Sequence, residues 1–476
     1  GIAVQPMIPQ TKQTYPGGYV KQPLSGVHKW IMSYDLNSLY PNIIIEYNMS
    51  PETIINHTMH DTSPDGFLEG VHDFTGGEFA VAANGVCFSK NKQGHIPKIL
   101  ETMYANRKAT QAEIKELKRD IEGLGDSPRV MSVKANIDTL HTKQMAIKLL
   151  MNSLYGAIGT PYFRHHDLRI AKAITLSGQT IVRHAEQTIN LLLNDALKTD
   201  TDYVIAIDTD SNYLNFGPVV EQLPDGEDIV DQLVKISDMV IAPALKEAFI
   251  SLGHRMNTYK PRMVMGREII AESGFWKAAK CYALSVVDDD GFRLSEPKLK
   301  MQGLDAVKSS TPAVCREWMK EFFKKVLTGD ESGSRDFIDG IRKEFMELEP
   351  EDIAFPRGVT KLNKWIDRNG YTPKGGTPQH VRACIAYNKL IHDETFVEKY
   401  RPIEEQSKFR FLNMQMPNPS GQPVFGFPTY FPRELNLEKY IDRKKQFEKS
   451  FLAAVIPVME AVNWSTTTSP RLEDLF

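Results

Sequence analysis

Cysteine is scarce in this chain, with four residues in 476, and no two of them form a Cys-x-x-Cys pair. Structural zinc sites use such close spacings, and small disulfide scaffolds carry a far higher share of cysteine. The composition therefore excludes a disulfide framework and argues against a zinc centre. We expect reduced thiols and a cytoplasmic location. The four residues are Cys87, Cys281, Cys315 and Cys384.

Long hydrophobic runs and a strong net charge are missing as well. No stretch approaches the roughly eighteen apolar residues of a membrane-spanning helix, and the first residues lack the pattern of a signal peptide. We therefore expect no membrane attachment. The formal net charge of -3 leaves nucleic-acid binding open, because a large enzyme can carry a basic patch within a nearly neutral total.

The length indicates more than one folding unit. A chain of 476 residues exceeds what a single hydrophobic core usually supports, so two or three subdomains are expected. The chain begins at Gly1 rather than Met. We expect it to be a fragment, a processed piece or one half of a split protein.

Apolar periodicity and Gly/Pro breaks predict a mixture of helices and strands. Two long helices, 97–122 and 131–158, are separated by a break that contains Gly and Pro, and they should form an antiparallel hairpin. Further predictions are a strand over 30–34, a helix over 168–197, a strand–turn–strand over 203–216, a helix over 229–252, a hairpin turn over 286–291 and mostly helical structure from 303, broken at 355–378 and 416–432.

Three aspartates follow apolar, strand-like segments. Asp35 ends the first strand, and Asp208 and Asp210 flank the turn of the strand pair. Period-two alternation would let Asp208 and Asp210 point the same way, and a neighbouring strand would bring Asp35 beside them. Three such carboxylates repel one another unless a divalent cation lies between them. Phosphoryl transfer from a triphosphate requires divalent cations held by carboxylates in this way. Taken alone, Asp-Thr-Asp is also an ordinary turn sequence.

A second polar group lies on one face of the helix 131–158. Lys148, Asn152 and Tyr155 are spaced by four and three residues, so they share a face. In an antiparallel hairpin Arg107 of the preceding helix would join Lys148, and two converging cations suit a triphosphate. The alternative is that both cations are solvated surface charges. The apolar residues that follow Lys148 favour a position beside buried surface.

Tyr40 lies five residues after Asp35, in the segment that leaves the first strand. There its ring would pack under a deoxyribose and clash with a 2′-hydroxyl, which is selection of the sugar by steric exclusion. The alternative is a half-buried loop tyrosine without such a role.

Beyond these residues, the chain resembles the polymerase portion of the family B DNA polymerases, of the T-even-phage replicative type. Asp35–Asn42, Lys148–Gly156 and Asp208–Ser211 match motifs A, B and C of that family, in the right order. The similarity extends almost from end to end. Further matching segments are Tyr15–Gly18, Ser50–Ile54, Gly274–Trp276, Lys280–Tyr282, Glu296–Lys300 and Lys308–Pro312.

The resemblance implies an α+β chain with a right-hand polymerase fold, in which a β-sheet palm carries helical-hairpin fingers and a mostly helical thumb. The palm would comprise residues 1–93 and 161–302, the fingers 94–160, and the thumb 303–476 with a clamp-binding tail. The implied activity is DNA-directed DNA polymerisation: addition of dNTPs to a primer 3′-OH by two-metal-ion nucleotidyl transfer, with host cytoplasm as the location for a phage protein.

The family's metal-site roles carry over by position. Asp35 and Asp210 would bridge two Mg²⁺ ions, for which Mn²⁺ is the expected substitute, and the carbonyl of Leu36 would be a further ligand. Asp208 would be an auxiliary catalytic carboxylate near the primer end.

The implied dNTP-binding set comprises two backbone amides, an aromatic ring, two cations and a side-chain amide. The backbone amides would hold the β- and γ-phosphates, the ring would exclude ribose, and the cations would bind the triphosphate. The amides are those of Ser38 and Leu39, the ring is Tyr40, and the cations are Arg107 and Lys148. The side-chain amide is Asn152, which would line the nascent base pair together with Tyr155, with Tyr155 on the template side.

Primer-template contacts are implied in the later part of the chain. Lys280 and Tyr282 match a Lys-x-Tyr element that touches the minor groove of the duplex. Lys298 and Lys300 would contact primer phosphates. Such contacts hold the register of the duplex without reading its sequence, which suits a polymerase.

Two partners besides DNA are implied. The last residues resemble a peptide that binds a sliding clamp, with apolar anchors at Leu472, Leu475 and Phe476, although a frayed terminus is the alternative. Relatives carry a 3′–5′ exonuclease domain ahead of motif A, so we expect a separate chain to supply the N-terminal and exonuclease domains, or proofreading to be missing. Asp120-Ile-Glu122 has the exonuclease spacing, but its predicted helical setting indicates surface charge.

The chain departs from the family pattern at three positions, and two of them, Ile207 and Gln111, keep a second function open. Ile207 adds bulk where relatives are small, Gln111 replaces a frequent second lysine, and Gly266 replaces an aspartate, although Glu268 remains nearby. The alternative function is a catalytically silent, DNA- and clamp-binding scaffold. An RNA-copying polymerase is disfavoured, because Tyr40 would block ribose.

Overall fold

The computed structural model describes residues 14–124, 127–224, 226–367, 371–393, 396 and 398–465. Helices occur together with antiparallel sheets, so the predicted α+β class is confirmed. The chain forms two compact units, one from Gly1–Gln22 and Met32–Ile270 and the other from Pro23–Ile31 and Ala271–Phe476. No helix in the described ranges is long and apolar enough to cross a membrane.

The first unit contains a main sheet and a small three-stranded sheet. Its strands are β1 (Val20–Lys21), β2 (Gly26–Leu36), β3 (Ile54–Met59), β4 (Phe79–Val81), β5 (Val86–Ser89), β6 (Val204–Asp208), β7 (Ser211–Asn215) and β8 (Met265–Ala278), and β2 and β8 continue into the second unit. The main sheet has the order β1-β6-β7-β2-β8, and the small sheet has the order β3-β5-β4. β6 is antiparallel to both β1 and β7.

The helices of the first unit flank these sheets. They are α1 (Leu39–Glu46), α2 (Pro64–Leu68), α3 (His95–Leu124), α4 (Arg129–Ile158), α5 (Leu168–Leu197), α6 (Gly217–Val220), α7 (Ile229–Ile236) and α8 (Ala242–Arg255), with a 3₁₀ turn at Pro51–Thr53 and a π-helical turn at Ser237–Ile241. The π-helical turn interrupts the predicted helix 229–252 just before Pro243, whose missing N–H cannot continue the hydrogen-bond ladder.

Helices α3 and α4 form the expected antiparallel hairpin. Their apolar contact is made by Ile114, Ile137 and Leu140. Nearer the start of α3, Arg107 Nε donates to Gln144 Oε1 at 3.3 Å. The earlier residue on α3, Arg107, therefore contacts the later residue on α4, Gln144, as expected for antiparallel helices.

Helix α5 has the predicted bounds and a strongly one-sided apolar face. Its first turn is capped by Asp167, whose side chain accepts from Arg169 N at 2.9 Å. The buried residues Ile170, Ile174 and Ile181 recur at helical spacing, so one face of the helix is turned inward. This face packs on α1, β6 and β7, and α5 thereby supports the elements that carry the three aspartates.

The second unit continues β2 and β8 and adds a long hairpin. The hairpin turn is at Asp290-Gly291, where both residues have positive φ, so the predicted turn is confirmed. Strands of this unit are β9 (Cys281–Asp289), β10 (Phe292–Gln302), β11 (Phe355–Gly358), β12 (Lys408–Asn413) and β13 (Val424–Phe427). Its helices are α9 (Ala313–Thr328), α10 (Glu331–Glu347), α11 (Pro350–Ile353), α12 (Leu362–Trp365), α13 (Gln379–Asp393), α14 (Arg443–Phe447) and α15 (Ala453–Ala461), with 3₁₀ turns at Asp305–Val307, Arg433–Leu435 and Glu438–Tyr440 and a π-helical turn at Glu448–Leu452.

The part of the chain after 303 is less helical than predicted. β11, β12 and β13 form an antiparallel sheet, in that order, within the segments that we predicted to be irregular or helical. Four buried phenylalanines carried the missed signal, because they alternate with other residues as in a strand. They are Phe409 and Phe411 on β12 and Phe425 and Phe427 on β13, and they belong to the large core of the second unit.

Candidate active site

The end of β2 lies beside the turn that joins β6 to β7. Leu36 N donates to the backbone oxygen of Asp210 at 2.9 Å. Ser211 Oγ donates to Asp35 Oδ1 at 2.8 Å. These two hydrogen bonds join residues that are 174 or more positions apart in the sequence and bring Asp35 and Asp210 together, as the sequence analysis expected.

The turn itself differs from the expected alternation. Asp208 pairs with Ser211 across the hairpin, so Thr209 and Asp210 are the two turn residues, and Thr209 has a φ of 63°. A two-residue turn ends the period-two pattern at Asp208. Thr209 Oγ1 donates to Asp208 Oδ1 at 3.2 Å. Asp208 and Asp210 therefore do not alternate along one strand. The reason for expecting their side chains to point the same way does not apply.

Both aspartates of the pair hold a proton more tightly than usual. Burial, together with the negative charges of Asp210 and Glu268, raises the pKa of Asp35 to about 7, against the opposing hydrogen bond from Ser211. Burial also raises the pKa of Asp210 to about 6, and the charges of Asp208 and Glu268 act in the same direction. Two acids with raised pKa values at one spot form a site that a cation would stabilise.

The donor set suits magnesium better than zinc. Within the described residues, no group of three or more His, Cys, Asp or Glu side chains is arranged to hold a metal ion. The charges of Asp208 and Glu268 nevertheless act on the pair Asp35 and Asp210. Mg²⁺ usually takes one or two protein carboxylates and completes its shell with water and substrate phosphates. A carboxylate pair with a backbone carbonyl such as that of Leu36 fits this pattern.

Helix α1 starts directly after the aspartate of β2. Its N-cap, Ser38, has a φ of 51° and makes no side-chain cap, so the first amides of the helix, which include those of Leu39 and Tyr40, lack an intrahelical acceptor. Such an N-terminus favours anions. Arg107 Nη1 donates to Ser38 Oγ at 3.1 Å, so a cation from α3 stands at this helix end. Burial lowers the pKa of Arg107.

Lys148 acts on the same site but is more exposed than predicted. Its positive charge lowers the pKa of both Asp35 and Asp210, so the cation faces the acid pair. Its neighbours Leu149 and Leu150 are 64% and 62% exposed, whereas Met151 is 1% exposed. The expectation of buried surface beside Lys148 is therefore confirmed at Met151 and wrong at the two leucines. Only one side of α4 packs on α3, which leaves leucines on its other side uncovered.

Tyr40 and Tyr155 lie in contact beside the aspartates. Their ring centroids are 4.5 Å apart, at an interplanar angle of 42°. Burial and the charge of Asp210 raise the pKa of Tyr40 to about 12. A Cβ at Gly18 would lie 2.8 Å from the Tyr40 hydroxyl and 2.8 Å from Thr209 Cγ2, so a larger residue there would displace one of these side chains. Asn152 is exposed on the same helix as Tyr155.

The positions that depart from the family pattern have ordinary surroundings. Ile207 is 1% exposed and pairs with Lys21 and Asn212, so its bulk lies in the core of the first unit. A Cβ built on Gly266 meets no atom within 4 Å, so a larger residue would fit there. Glu268, two residues further along β8, is close enough for its charge to raise the pKa of both Asp35 and Asp210.

The implied DNA-contact residues lie on the β8–β9–β10 part of the second unit. Lys280 is exposed, with a φ of 61°, at the turn between β8 and β9. Tyr282 is 2% exposed, and its hydroxyl donates to Gln302 Oε1 at 2.9 Å, so its ring is part of the core. Lys298 and Lys300 are two residues apart on β10 and share a face, and Lys298 Nζ lies 3.8 Å from Asp289 Oδ2.

Two predicted features concern the C-terminal tail and the exonuclease-like spacing. Leu472, Leu475 and Phe476 lie outside the described residues. Asp120 is exposed on α3 and has no strand around it, which agrees with the interpretation of surface charge.

Three residues of the site had no predicted role. Ser211 holds Asp35, Gln144 holds Arg107, and Tyr15 forms a hydrogen bond that helps, with burial, to raise the pKa of Tyr155. Gln144 carried a signal in the sequence, because it lies four residues before Lys148 on the same helix face. Ser211 and Tyr15 carried none beyond their places in matching motifs.

Known proteins resemble this chain in sequence over most of its length. Residues 2–219 match the family model described as DNA polymerase family B. The chain is 30% identical to the DNA-directed DNA polymerase of Enterobacteria phage T4, across 99% of this chain and 58% of the relative. The chain belongs to DNA polymerase family B.

Two further relatives show how the similarity varies. The DNA-directed DNA polymerase of Escherichia phage RB69 is 30% identical over 89% of this chain and 52% of its own length. DNA polymerase 1 of Pyrococcus abyssi is 26% identical over 66% of this chain and 32% of its own length. The chain spans about half the length of the two phage relatives.

Proposed function

We propose that the chain is a DNA-directed DNA polymerase that adds dNTPs to a primer 3′-OH by two-metal-ion nucleotidyl transfer. The observation that carries the proposal is the meeting of Asp35 and Asp210 with the N-terminus of α1 and with Arg107 and Lys148. An acid pair and an anion-binding helix end with two cations are what triphosphate chemistry requires, and the family membership supports the same conclusion.

In this proposal Asp35, Asp210 and the carbonyl of Leu36 hold two Mg²⁺ ions. When bound, the ions lower the charge barrier between the primer oxygen and the α-phosphate. Ser211 keeps the Asp35 carboxylate in place through its hydrogen bond. Asp208 supports the pair through its charge, which already acts on Asp210.

The incoming nucleotide is bound by groups on three helices. The amides of Ser38 and Leu39 receive the β- and γ-phosphates at the start of α1, and Arg107 and Lys148 neutralise their charge. Tyr40 closes the sugar position against a 2′-hydroxyl. Asn152 and Tyr155 line the nascent base pair, and the contact of Tyr155 with Tyr40 holds both rings.

The duplex is bound in the later part of the chain. We propose that residues 1–93 and 161–302 are the palm, 94–160 the fingers and 303–476 the thumb. Lys280 touches the minor groove of the duplex, and Lys298 and Lys300 contact primer phosphates. Tyr282, which is 2% exposed, supports their strands from the core. The helical hairpin of α3 and α4 and the β9–β10 hairpin support this assignment.

Two partner proteins belong to the proposal. The tail residues Leu472, Leu475 and Phe476 would bind a sliding clamp, and a separate chain would supply the N-terminal and exonuclease domains. Deleting 472–476 should abolish clamp-stimulated synthesis and leave synthesis without clamp unchanged; equal stimulation of both proteins would contradict the tail assignment.

Primer extension by the full chain with Mg²⁺ tests the activity. We expect extension by the wild type, none by Asp35→Ala, and equal binding of primer-template by both. Full extension by Asp35→Ala would contradict the metal assignment. Duplex and clamp binding without extension by the wild type would favour the alternative, a catalytically silent scaffold.

A further inference from the structure

A segment of the first unit, Tyr259–Val264, runs beside α1; we call it the bracket segment. At the C-terminal end of α1, Tyr259 N and Lys260 N donate to the backbone oxygen of Glu46 at 2.8 and 3.1 Å. Arg262 N donates to the Glu46 carboxylate, Oε2, at 3.0 Å. Glu46 is 2% exposed. A buried carboxyl group that accepts from backbone N–H groups is a firm attachment, because losing those bonds would leave buried polar atoms unsatisfied.

The bracket segment also holds the other end of α1. The carbonyl of Val264 accepts from Asn37 N at 3.2 Å, immediately before Ser38. An eight-residue helix is about 12 Å long, whereas six extended residues reach about 20 Å, so the segment is long enough to follow the whole helix. The bracket segment therefore connects the end of α1 that starts at the aspartate site with the buried Glu46.

The side chain of Arg262 reaches the other helix of the site. Its guanidinium carbon lies 5.1 Å from the ring centroid of Tyr104 on α3, and its Nη1 lies 3.7 Å from Glu101 Oε1. The Arg262 side chain is 16% exposed, so the cation–π contact is largely sheltered from water. Tyr104 precedes Arg107 by three residues, which is about one helical turn.

We propose that Arg262 is a positioning residue that sets the spacing between the start of α1 and Arg107, and thereby the affinity for the triphosphate of the incoming nucleotide. This inference rests on the proposed function. The backbone of Arg262 is attached to α1 and its side chain to α3. Lys260 makes a similar pair of contacts, but its side chain is 57% exposed, whereas that of Arg262 is 16% exposed. The 3.1 Å hydrogen bond from Arg107 to Ser38 is the contact that this spacing permits.

A shortened or uncharged side chain at 262 leaves α1 attached through Glu46 but removes the contact with Tyr104 and Glu101 on α3. Arg107 then loses its fixed distance from the phosphate position, whereas Asp35 and Asp210 keep their own hydrogen bonds. Nucleotide affinity should fall, and the rate at saturating nucleotide should remain.

The test compares Arg262→Met, Tyr104→Leu and the control Lys260→Met in the full chain. Lys260 Nζ binds the same Glu101, at 2.6 Å, but its side chain is 57% exposed. Single-nucleotide extension gives KM and kcat, and dNTP binding to the complex with a dideoxy-terminated primer gives Kd. We expect Arg262→Met and Tyr104→Leu to raise KM and Kd on the order of tenfold at unchanged kcat, Lys260→Met to match the wild type, and Arg262→Lys to recover part of the loss.

Several outcomes would overturn the inference. One is an unchanged dNTP Kd in both Arg262→Met and Tyr104→Leu. Another is a parallel loss of kcat, primer-template affinity and melting temperature, because that would be a general structural role. If Arg262→Met does not fold, the dNTP Kd of Tyr104→Leu alone tests the positioning role. If the wild type fails to extend a primer, the proposed function is wrong, and the dNTP Kd on the terminated primer still tests the spacing role.

Discussion

The aspartate site of the first unit (Asp35 and Asp210) and the lysine strand of the second unit (β10, with Lys298 and Lys300) differ in how far their charges are exposed to solvent. Asp35 and Asp210 are partly buried, and burial is the largest cause of their raised pKa values. Lys298 is exposed, with its side chain 67% accessible, and lies beside Asp289. Burying the aspartates costs folding free energy and holds their negative charge at one point. Leaving the lysines exposed costs little and leaves their side chains mobile.

The difference teaches what each region is built to do. Chemistry on a phosphate needs charges fixed before the reaction in a site of low dielectric constant. Binding to a uniform phosphate backbone needs exposed cations that tolerate any sequence and respond to salt. Substitutions in the two regions should therefore separate cleanly into loss of rate and loss of affinity.

The largest expected effect is at Asp210. Asp210→Asn should lower single-nucleotide incorporation on the order of 10³-fold or more at unchanged primer-template Kd, because it removes one of the paired carboxylates. The control, Asp208→Asn, should cost about tenfold, since that carboxylate acts through its charge on Asp210. Rapid single-turnover extension measures both, and equal losses would show that the two acids have the same role.

Tyr40→Ala should have the next largest effect, on the choice of sugar. Loss of the ring opens the space for a 2′-hydroxyl, so the preference for dNTP over rNTP should fall on the order of 10²-fold. Tyr40→Phe keeps the ring and should keep the preference. The ratio of kcat/KM for matched dNTP and rNTP reports this, and an unchanged ratio in Tyr40→Ala would remove the steric role.

The lysine strand should show a smaller effect of another kind. The double variant Lys298→Gln, Lys300→Gln should weaken primer-template binding on the order of tenfold and reduce the salt slope of log Kd by about two, with kcat unchanged. Lys320→Gln on α9, which pairs with Glu317 at 2.8 Å, is the matched control. Titrations at several salt concentrations would contradict the contact if the slope stayed constant.

The last expected effect is on stability rather than on activity. Burial raises the pKa of Glu46 to about 7 from the ordinary 4.5, so the wild type should lose unfolding free energy as pH rises through this range. Glu46→Gln should remove that loss, on the order of 2–3 kcal/mol between pH 5 and pH 8. Urea unfolding at pH 5 and pH 8 measures it.

Glu101→Gln is the control of opposite sign, because a hydrogen bond from Lys260 lowers the pKa of Glu101. The ionised Glu101 stabilises the fold above its unfolded-state pKa, and the wild type loses this stabilisation in acid. The destabilisation caused by Glu101→Gln should therefore appear at pH 8. An identical pH response of the Glu46→Gln variant and the wild type would mean that Glu46 is not the responsible group.

Much of the fold could be predicted from local pattern. Helix α5 has its predicted bounds and the α3–α4 hairpin has its predicted partners, because long amphipathic periods are strong signals. The sheet of β11, β12 and β13 was missed, since its short strands lie among Pro- and Gly-containing segments. Exposure along α4 was also misjudged, because apolar residues on a helix do not state which of its faces is covered.

The order and spacing of residues by themselves determined the three motifs, the family and the residue types of the site. Only the tertiary structure decided that Ser211 holds Asp35, that Arg107 meets Ser38 and Gln144, and that Glu46 and Arg262 connect α1 to α3. The physical reason is distance along the chain: local pattern sets the conformation of each element, whereas contacts between remote residues depend on how the elements pack.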